Sequence, residues 1–80
     1  MPDAASEKIL SLLAREWDLN GPPGIMDIGD IVSIIPLAPS DTMAAIRELF
    51  SSGLVDMNTL KTSAWLTPEG YDHISSRGGQ

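Results

Sequence analysis

The side chains that could carry catalysis or bind a metal are few and far apart. His73 is the only histidine and there is no cysteine, whereas a zinc site requires three or four converging ligands. Asp27 and Asp30 form a carboxylate pair, but they occupy the N-cap and third positions of a predicted helix, which explains both. The serine pairs at 51–52 and 75–76 have no neighbouring base, and no glycine-rich phosphate loop precedes a helix. The sequence therefore predicts no enzyme, no cofactor, no metal and no small-molecule ligand.

The composition is that of a small acidic protein. The chain has 80 residues, 42% of them hydrophobic, and five basic against eleven acidic residues give a net charge of −6. This length and apolar content suit one compact domain, and an acidic surface repels DNA phosphates and lipid headgroups. The apolar runs are too short to cross a bilayer, and the first residues lack the basic-then-apolar order of a signal peptide. We therefore expect a cytoplasmic protein that does not bind membranes.

Two helices with one apolar face each are predicted in the first half of the chain. The first covers residues 6–20, with Ser6 as its N-cap, and the second covers residues 28–35, with Asp27 as its N-cap. Residues 25–26 between them form a very short strand. The inward faces comprise Ile9, Leu10, Leu12, Leu13 and Trp17 in the first helix, and Ile28, Ile31, Val32 and Ile35 in the second.

A third helix is predicted over residues 41–52, capped by Ser40 or Asp41. Gly53 suits the left-handed conformation that ends such a helix. The apolar spacing predicts an inner face made of Met43, Ile46, Leu49 and Phe50.

A hairpin and a last short helix complete the chain. Residues 54–66 alternate as two strands with a turn near residues 58–61, which sets Ala64 and Leu66 on one face and Trp65 on the other. Thr67 then caps a helix, and the apolar side chains of that helix, Tyr71 and Ile74, dock it on the body. We expect an N-terminal arm at residues 1–5, one domain at residues 6–75 and a flexible tail at residues 76–80.

Two segments carry a family resemblance. "AIRELFSSGLVDM" (residues 45–57) and "AWLTPEGYDHI" (residues 64–74), in this order of elements, resemble the winged helix-turn-helix domains of MarR-like prokaryotic regulators. The likeness covers residues 6–75. It implies an α+β fold, mostly α, with a three-helix core, a two-stranded β-wing and a short C-terminal helix. It also implies that the third helix lies in the major groove of DNA while the wing touches the backbone.

Transferred to this sequence, the resemblance gives a candidate DNA surface that is unusually acidic. The groove-facing side of the third helix would carry Asp41 and Glu48 but no lysine or arginine, and a desolvated, unpaired charge costs on the order of several kcal/mol. Arg47 lies at the flank and Lys61 near the wing tip. For duplex DNA, bound by a dimeric transcriptional regulator, the candidate residues are Ser40, Thr42, Ala44, Arg47 and Lys61.

The acidic face favours a protein partner or self-association over DNA. An exposed tryptophan is a common anchor of protein interfaces, and Trp65 faces outward if Leu66 faces inward; the alternative is that Trp65 packs on the last helix or the third helix. The candidate residues for protein binding are Asp41, Ala45, Glu48, Met57, Leu60 and Trp65. DNA binding remains the alternative.

Overall fold

Helices dominate the structure and one small sheet packs against them. The computed structural model describes residues 4–78, which form four α-helices and three short strands. The elements are α1 (Ala4–Asn20), β1 (Met26–Asp27), α2 (Ile28–Ile34), α3 (Pro39–Ser51), β2 (Val55–Met57), β3 (Ser63–Leu66) and α4 (Pro68–Gly78). The expected class, α+β with mainly helix, is confirmed. None of the helices in this range is both long and apolar enough to span a membrane.

The sheet has one strand more than the hairpin predicts. Within the described residues the strand order is β1-β3-β2, and both pairings are antiparallel. The short strand expected at residues 25–26 is present one residue later, and Met26 lies opposite Ala64 of the central strand β3. The predicted hairpin strands are present as β2 and β3, and the predicted short strand joins them as a third strand, which the sequence does not indicate. Pairing with β1 satisfies an edge of β3 that would otherwise expose unpaired backbone groups.

One apolar core joins the helices and the sheet. The alternation predicted for β3 is confirmed, because Ala64 and Leu66 are buried and Trp65 is not. On the far side of α1, Trp17 stacks on Tyr71 of α4 with ring centroids 4.5 Å apart, so the predicted docking of the last helix is also confirmed. The buried core comprises Ile9, Leu10, Leu13, Ile28, Ile31, Ile35, Ala45, Ile46, Leu49, Val55, Ala64 and Leu66.

Two of the predicted helix starts are wrong. Helix α1 begins at Ala4, so Ser6 lies inside the helix and is buried instead of capping it. Helix α3 begins at Pro39 with Ala38 as its N-cap, so neither Ser40 nor Asp41 is the cap. Proline suits the first helical position because its φ is already helical and its missing N–H has no partner there in any case.

The first and last helices extend past the predicted domain limits of residues 6 and 75. Helix α4 continues to Gly78. At the other end, α1 includes residues 4 and 5. The outermost parts of the predicted arm and tail, residues 1–3 and 79–80, lie outside the described residues.

The buried stripe of α3 is rotated by about one residue from the predicted inner face. Phe50, expected inside, is 40% exposed, whereas Thr42 and Ala45 are buried. With Ile46 and Leu49 they form the i, i+3, i+4, i+7 series of a core-facing stripe. The apolar residues of α3 are compatible with either buried face, the predicted one with Phe50 or the observed one with Thr42 and Ala45. Packing against α1 and the sheet selects the observed face.

The two segments that carry the family resemblance meet in space. Gly53 ends α3 with φ +83°, as predicted. The Thr67 hydroxyl donates to the Gly53 carbonyl at 2.7 Å, and the Thr67 amide donates to the Leu54 carbonyl at 3.2 Å. The same hydroxyl accepts the Gly70 amide at 3.0 Å, which confirms Thr67 as the cap of α4. One threonine therefore ties the end of α3 to the start of α4.

Candidate functional site

The outward side of α3 borders a groove that carries two carboxylates. The groove has a volume of about 400 Å³ and lies between α3, the start of α1 and the α2–α3 connection. Asp41 and Glu48 are exposed on it, and because they are two helical turns apart their backbones are about 10 Å from each other along the axis. We call the set that lines it the acidic groove: Ala5, Leu37, Asp41, Ala44, Ala45 and Glu48.

The acidic groove suits a long cationic side chain. Its lining residues include no lysine or arginine, so no cation of the groove itself offsets the two carboxylates. Three alanines and Leu37 provide a small apolar floor on which the aliphatic stem of a lysine or arginine can lie. Carboxylates at both ends of such a floor accept charge-assisted hydrogen bonds, which are stronger than neutral ones.

Two candidate residues of α3 do not face outward as expected. Thr42 is 0% exposed, and its hydroxyl donates to the Ala38 carbonyl at 3.3 Å, so it cannot contact a nucleic acid. Ala45 is 7% exposed and lies at the floor of the acidic groove. Both corrections have the same cause, since the buried stripe of α3 includes these two positions.

The hairpin meets α3 on the flank opposite the acidic groove. The Lys61 ammonium lies 5.0 Å from the centre of the Phe50 ring, and Lys61 itself has a positive φ of 58° in the turn after β2. Phe50 follows Glu48 by two residues, which corresponds to about 160° around the helix. The acidic groove and the hairpin turn therefore form two separate surfaces, although the sequence-based candidates combine them in one.

The remaining candidates for DNA contact lie on the exposed side of α3. Ser40, Ala44 and Arg47 are all exposed, and Arg47 is the only basic residue of the helix. Among the described residues no carboxylate forms an ion pair with Arg47. Arg47 precedes Phe50 by three residues, so it shares that flank with Lys61. Two cations thus border Phe50, and neither lines the acidic groove.

The lysine of α1, Lys8, does not line the acidic groove. Lys8 lines a different groove, of about 510 Å³, between the first half of α1 and the end of α2. That groove is largely apolar, and it includes Leu12, Ile34 and Pro36.

The hairpin separates the three apolar candidates that the sequence groups together. Met57 packs against the core, so the expectation that it extends an exposed patch is wrong. Leu60 is 80% exposed at the turn. Trp65 is half-buried on the outer face of the sheet and is not among the apolar side chains that pack against the core within residues 4–78.

Asn58 organises the turn of the hairpin, and sequence reasoning missed it. Its side-chain oxygen accepts the amides of Thr62 at 2.8 Å and Ser63 at 2.9 Å, while its side-chain nitrogen donates to the Thr62 hydroxyl at 2.8 Å. An asparagine at the start of a turn is the available signal, because its side chain commonly bonds nearby backbone groups. These bonds fix the position of Leu60 and Lys61.

The seam between α1 and α4 holds a histidine and a tyrosine, each beside a carboxylate. His73 Nε2 lies 3.5 Å from the Glu7 carboxylate. The Tyr71 hydroxyl donates to Asp18 at 2.8 Å, and this hydrogen bond raises the pKa of Tyr71 above its ordinary value of 10.0. In the part of the chain that the structure describes, no three histidine, aspartate or glutamate side chains converge to hold a metal ion. The contacts of His73 and Tyr71 join the two helices.

Comparison of the chain with protein-family models, with curated proteins and with solved structures gives no significant match.

Proposed function

We propose that this chain is a small, non-catalytic winged-helix module of the regulatory type that acts by binding a protein with a basic segment. The order of elements and the strand order β1-β3-β2 support the winged-helix assignment, with α3 as the recognition helix and β2–β3 as the wing. The observation that carries the functional proposal is the acidic groove on α3, the element that such a fold presents to its partner.

The charge of this face argues for a protein and against duplex DNA. A DNA-binding helix gains affinity from cations placed on phosphates, whereas Asp41 and Glu48 would confront that polyanion directly. Opposite charges on a partner protein instead speed the encounter and favour one docking orientation. The chain itself has only five basic residues against eleven acidic ones, so a different, basic protein suits the groove better than a second copy does.

Duplex DNA remains the second candidate because two cations border Phe50. Arg47 and Lys61 together can contact two phosphates from the exposed flank of α3 and the hairpin turn. Binding through this pair would be weak and would fall steeply with salt, since each phosphate contact contributes to the salt dependence.

A titration followed by NMR tests the protein-binding proposal. The probe is a short helical peptide of alanine and lysine, added to the isotope-labelled chain at low salt. We expect chemical-shift changes at the backbone amides of Leu37, Asp41, Ala44 and Glu48. The double variant Asp41→Lys with Glu48→Lys should weaken binding about tenfold or more, because two attractive contacts become repulsive.

A matched variant separates the groove from general electrostatics. Glu69→Lys with Asp72→Lys makes the same change in net charge on exposed residues of α4 and, like the groove pair, places one substitution in the first turn of a helix. It should bind the peptide nearly as well as the native chain. Equal weakening by both double variants, or no shift at the groove amides, would contradict the proposal.

A further inference from the structure

The outer face of the sheet carries an apolar pair at its centre, in which Ile25 is exposed and Trp65 is partly exposed. In the β1–β3 register Met26 lies opposite Ala64 and Asp27 opposite Ser63, so the next position sets Ile25 opposite Trp65. The Ile28 amide donates to the Thr62 carbonyl, and because bonded pairs alternate along an antiparallel ladder, continuing this register one residue before β1 would make Ile25 and Trp65 a non-bonded pair. Ile25 is 56% exposed. We use the name outer sheet face for the surface formed by Ile25, Asp27, Asp56, Ser63 and Trp65.

Trp65 is partly exposed and makes no ring stack with the described residues, in contrast to the other tryptophan. Trp17 stacks on Tyr71 with the rings inclined by 16°. Among residues 4–76, Trp65 takes part in no ring stack, no cation–π contact and no hydrogen bond of its indole N–H. Part of its surface remains exposed, and it is not among the side chains of residues 4–76 that pack against the core.

Two carboxylates flank this ring. Asp56 lies directly opposite Trp65 on β2, and Asp27 lies on the diagonal, about 7–8 Å away between backbones. Asp56 accepts the Met57 amide at 2.9 Å and Asp27 accepts the Ser63 hydroxyl at 3.3 Å. An ionised carboxylate has about four acceptor positions, so both keep free capacity. The outer sheet face contains no basic residue.

An aromatic ring beside carboxylates has the chemistry that recognises arginine. A guanidinium group stacks on a tryptophan ring and at the same time donates two hydrogen bonds to a carboxylate, which the compact lysine ammonium cannot do. Guanidinium is weakly hydrated, so it loses less hydration free energy than ammonium does when it moves against an apolar surface such as that of Ile25 and Trp65.

We propose that the outer sheet face binds an arginine side chain of a partner protein, with the guanidinium over the Trp65 ring and hydrogen-bonded to Asp56. This inference rests on the proposed function only for the class of partner, which is again a basic protein. The surface itself is distinct, because none of its residues lines the acidic groove.

The test follows the Trp65 indole N–H resonance by NMR during titration with the tripeptide acetyl-Val-Arg-Val-amide. Two control peptides replace the arginine with citrulline, which has nearly the same shape without the charge, or with lysine. We expect the arginine peptide to shift the Trp65 resonance and leave that of Trp17 unmoved. The lysine peptide should bind severalfold more weakly, and the citrulline peptide more weakly still.

Two variants locate the site. Trp65→Leu should abolish saturable binding of the arginine peptide. Asp56→Asn keeps an acceptor for the Met57 amide, so the fold is retained, and it should weaken binding severalfold, whereas the matched change Asp30→Asn on α2 should not. If the citrulline peptide binds as well as the arginine peptide, or Asp56→Asn has no effect, the inference is overturned.

The failure of this inference is distinguishable from that of the proposed function. The double reversal of Asp41 and Glu48 should leave the arginine-peptide shift at Trp65 almost unchanged. If the lysine–alanine peptide binds the acidic groove while the arginine peptide leaves Trp65 unmoved, only the outer sheet face is excluded. The opposite result would exclude the acidic groove and retain the outer sheet face.

Discussion

Replacing Gly70 with alanine tests the junction between α3, the hairpin and α4. Gly70 lies in the first turn of α4, directly against the Leu54 backbone. A Cβ at this position would lie 2.9 Å from the Leu54 carbonyl carbon and 3.0 Å from Leu66 Cδ1, and it would collide with the Leu54 carbonyl oxygen. Backbone cannot move aside like the end of a flexible side chain, so α4 itself must shift.

The expected cost follows from three contributions to the free energy of unfolding. Alanine is a better helix former than glycine and contributes up to about 1 kcal/mol of stability. Overpacking against fixed backbone costs about 1–3 kcal/mol. If α4 moves outward, the hydrogen bonds of Thr67 to Gly53 and Leu54 weaken, at about 1 kcal/mol each. We expect Gly70→Ala to destabilise the chain by about 2–3 kcal/mol, or about 10–20 °C in Tm for a domain of this size.

Urea unfolding of Gly70→Ala beside Gly29→Ala provides the assay. Gly29 is also helical, but a Cβ there meets no atom within 4 Å. Gly29→Ala should therefore stabilise the chain by about 0.5–1 kcal/mol, because only the backbone-entropy benefit applies. The two glycine substitutions should thus have opposite signs with unchanged m-values. A Gly70→Ala chain as stable as the native chain would refute the close contact at Leu54.

Two further predictions concern single hydrogen-bond networks. Thr67→Ala removes the cap of α4 and its bond to Gly53, so the free energy of unfolding measured in urea should fall by about 1–2 kcal/mol. The control Thr59→Ala, in the exposed turn, should change it by no more than about 0.5 kcal/mol. Equal losses in the two variants would exclude the capping role of Thr67. Because the bond to Asp18 favours its neutral phenol, Tyr71, the only tyrosine, should ionise above pH 10.0 in absorbance titrations, and Asp18→Asn should lower that pKa. The resulting stability is complete below the unfolded pKa and is lost as pH rises through the folded one; an unchanged pKa in Asp18→Asn would exclude this bond as the cause.

Local signals in the sequence predict the helix ends that depend on one residue. Gly53 requires a positive φ and ends α3, and Thr67 followed by Pro68 begins α4, so both boundaries are confirmed. The start of α3 is different, because three neighbouring positions all suit a helix start. Proline at the first helical position outweighs the side-chain caps that Ser40 or Asp41 would offer.

Tertiary packing determines the features that the sequence does not predict. Both Phe50 and Thr42 are compatible with an apolar helix face, and only contact with α1 and the sheet selects Thr42 for burial. The addition of β1 to the sheet is a long-range pairing with no local pattern beyond two apolar residues. Gly70 likewise resembles an ordinary helix residue until Leu54 is placed against it.

The sequence predicts the negative charge of the outward side of α3, but it does not predict how the candidate residues are arranged. The acidic character of the outward α3 side follows directly from Asp41 and Glu48, which are both exposed. The sequence joins these residues to the hairpin, whereas helix geometry places Phe50 and Lys61 on the other flank. Register, which depends on pairing between distant strands, sets Trp65 beside Asp56 on a surface of its own.

The most direct test of the central claim, that the outward side of α3 repels a polyanion, is a fluorescence-anisotropy titration of labelled duplex DNA at low salt. We expect no saturable binding by the native chain at micromolar concentration, and clear binding once Asp41 and Glu48 are both changed to lysine. Salt-sensitive binding of the duplex by the native chain, with no gain from the two lysines, would contradict the claim.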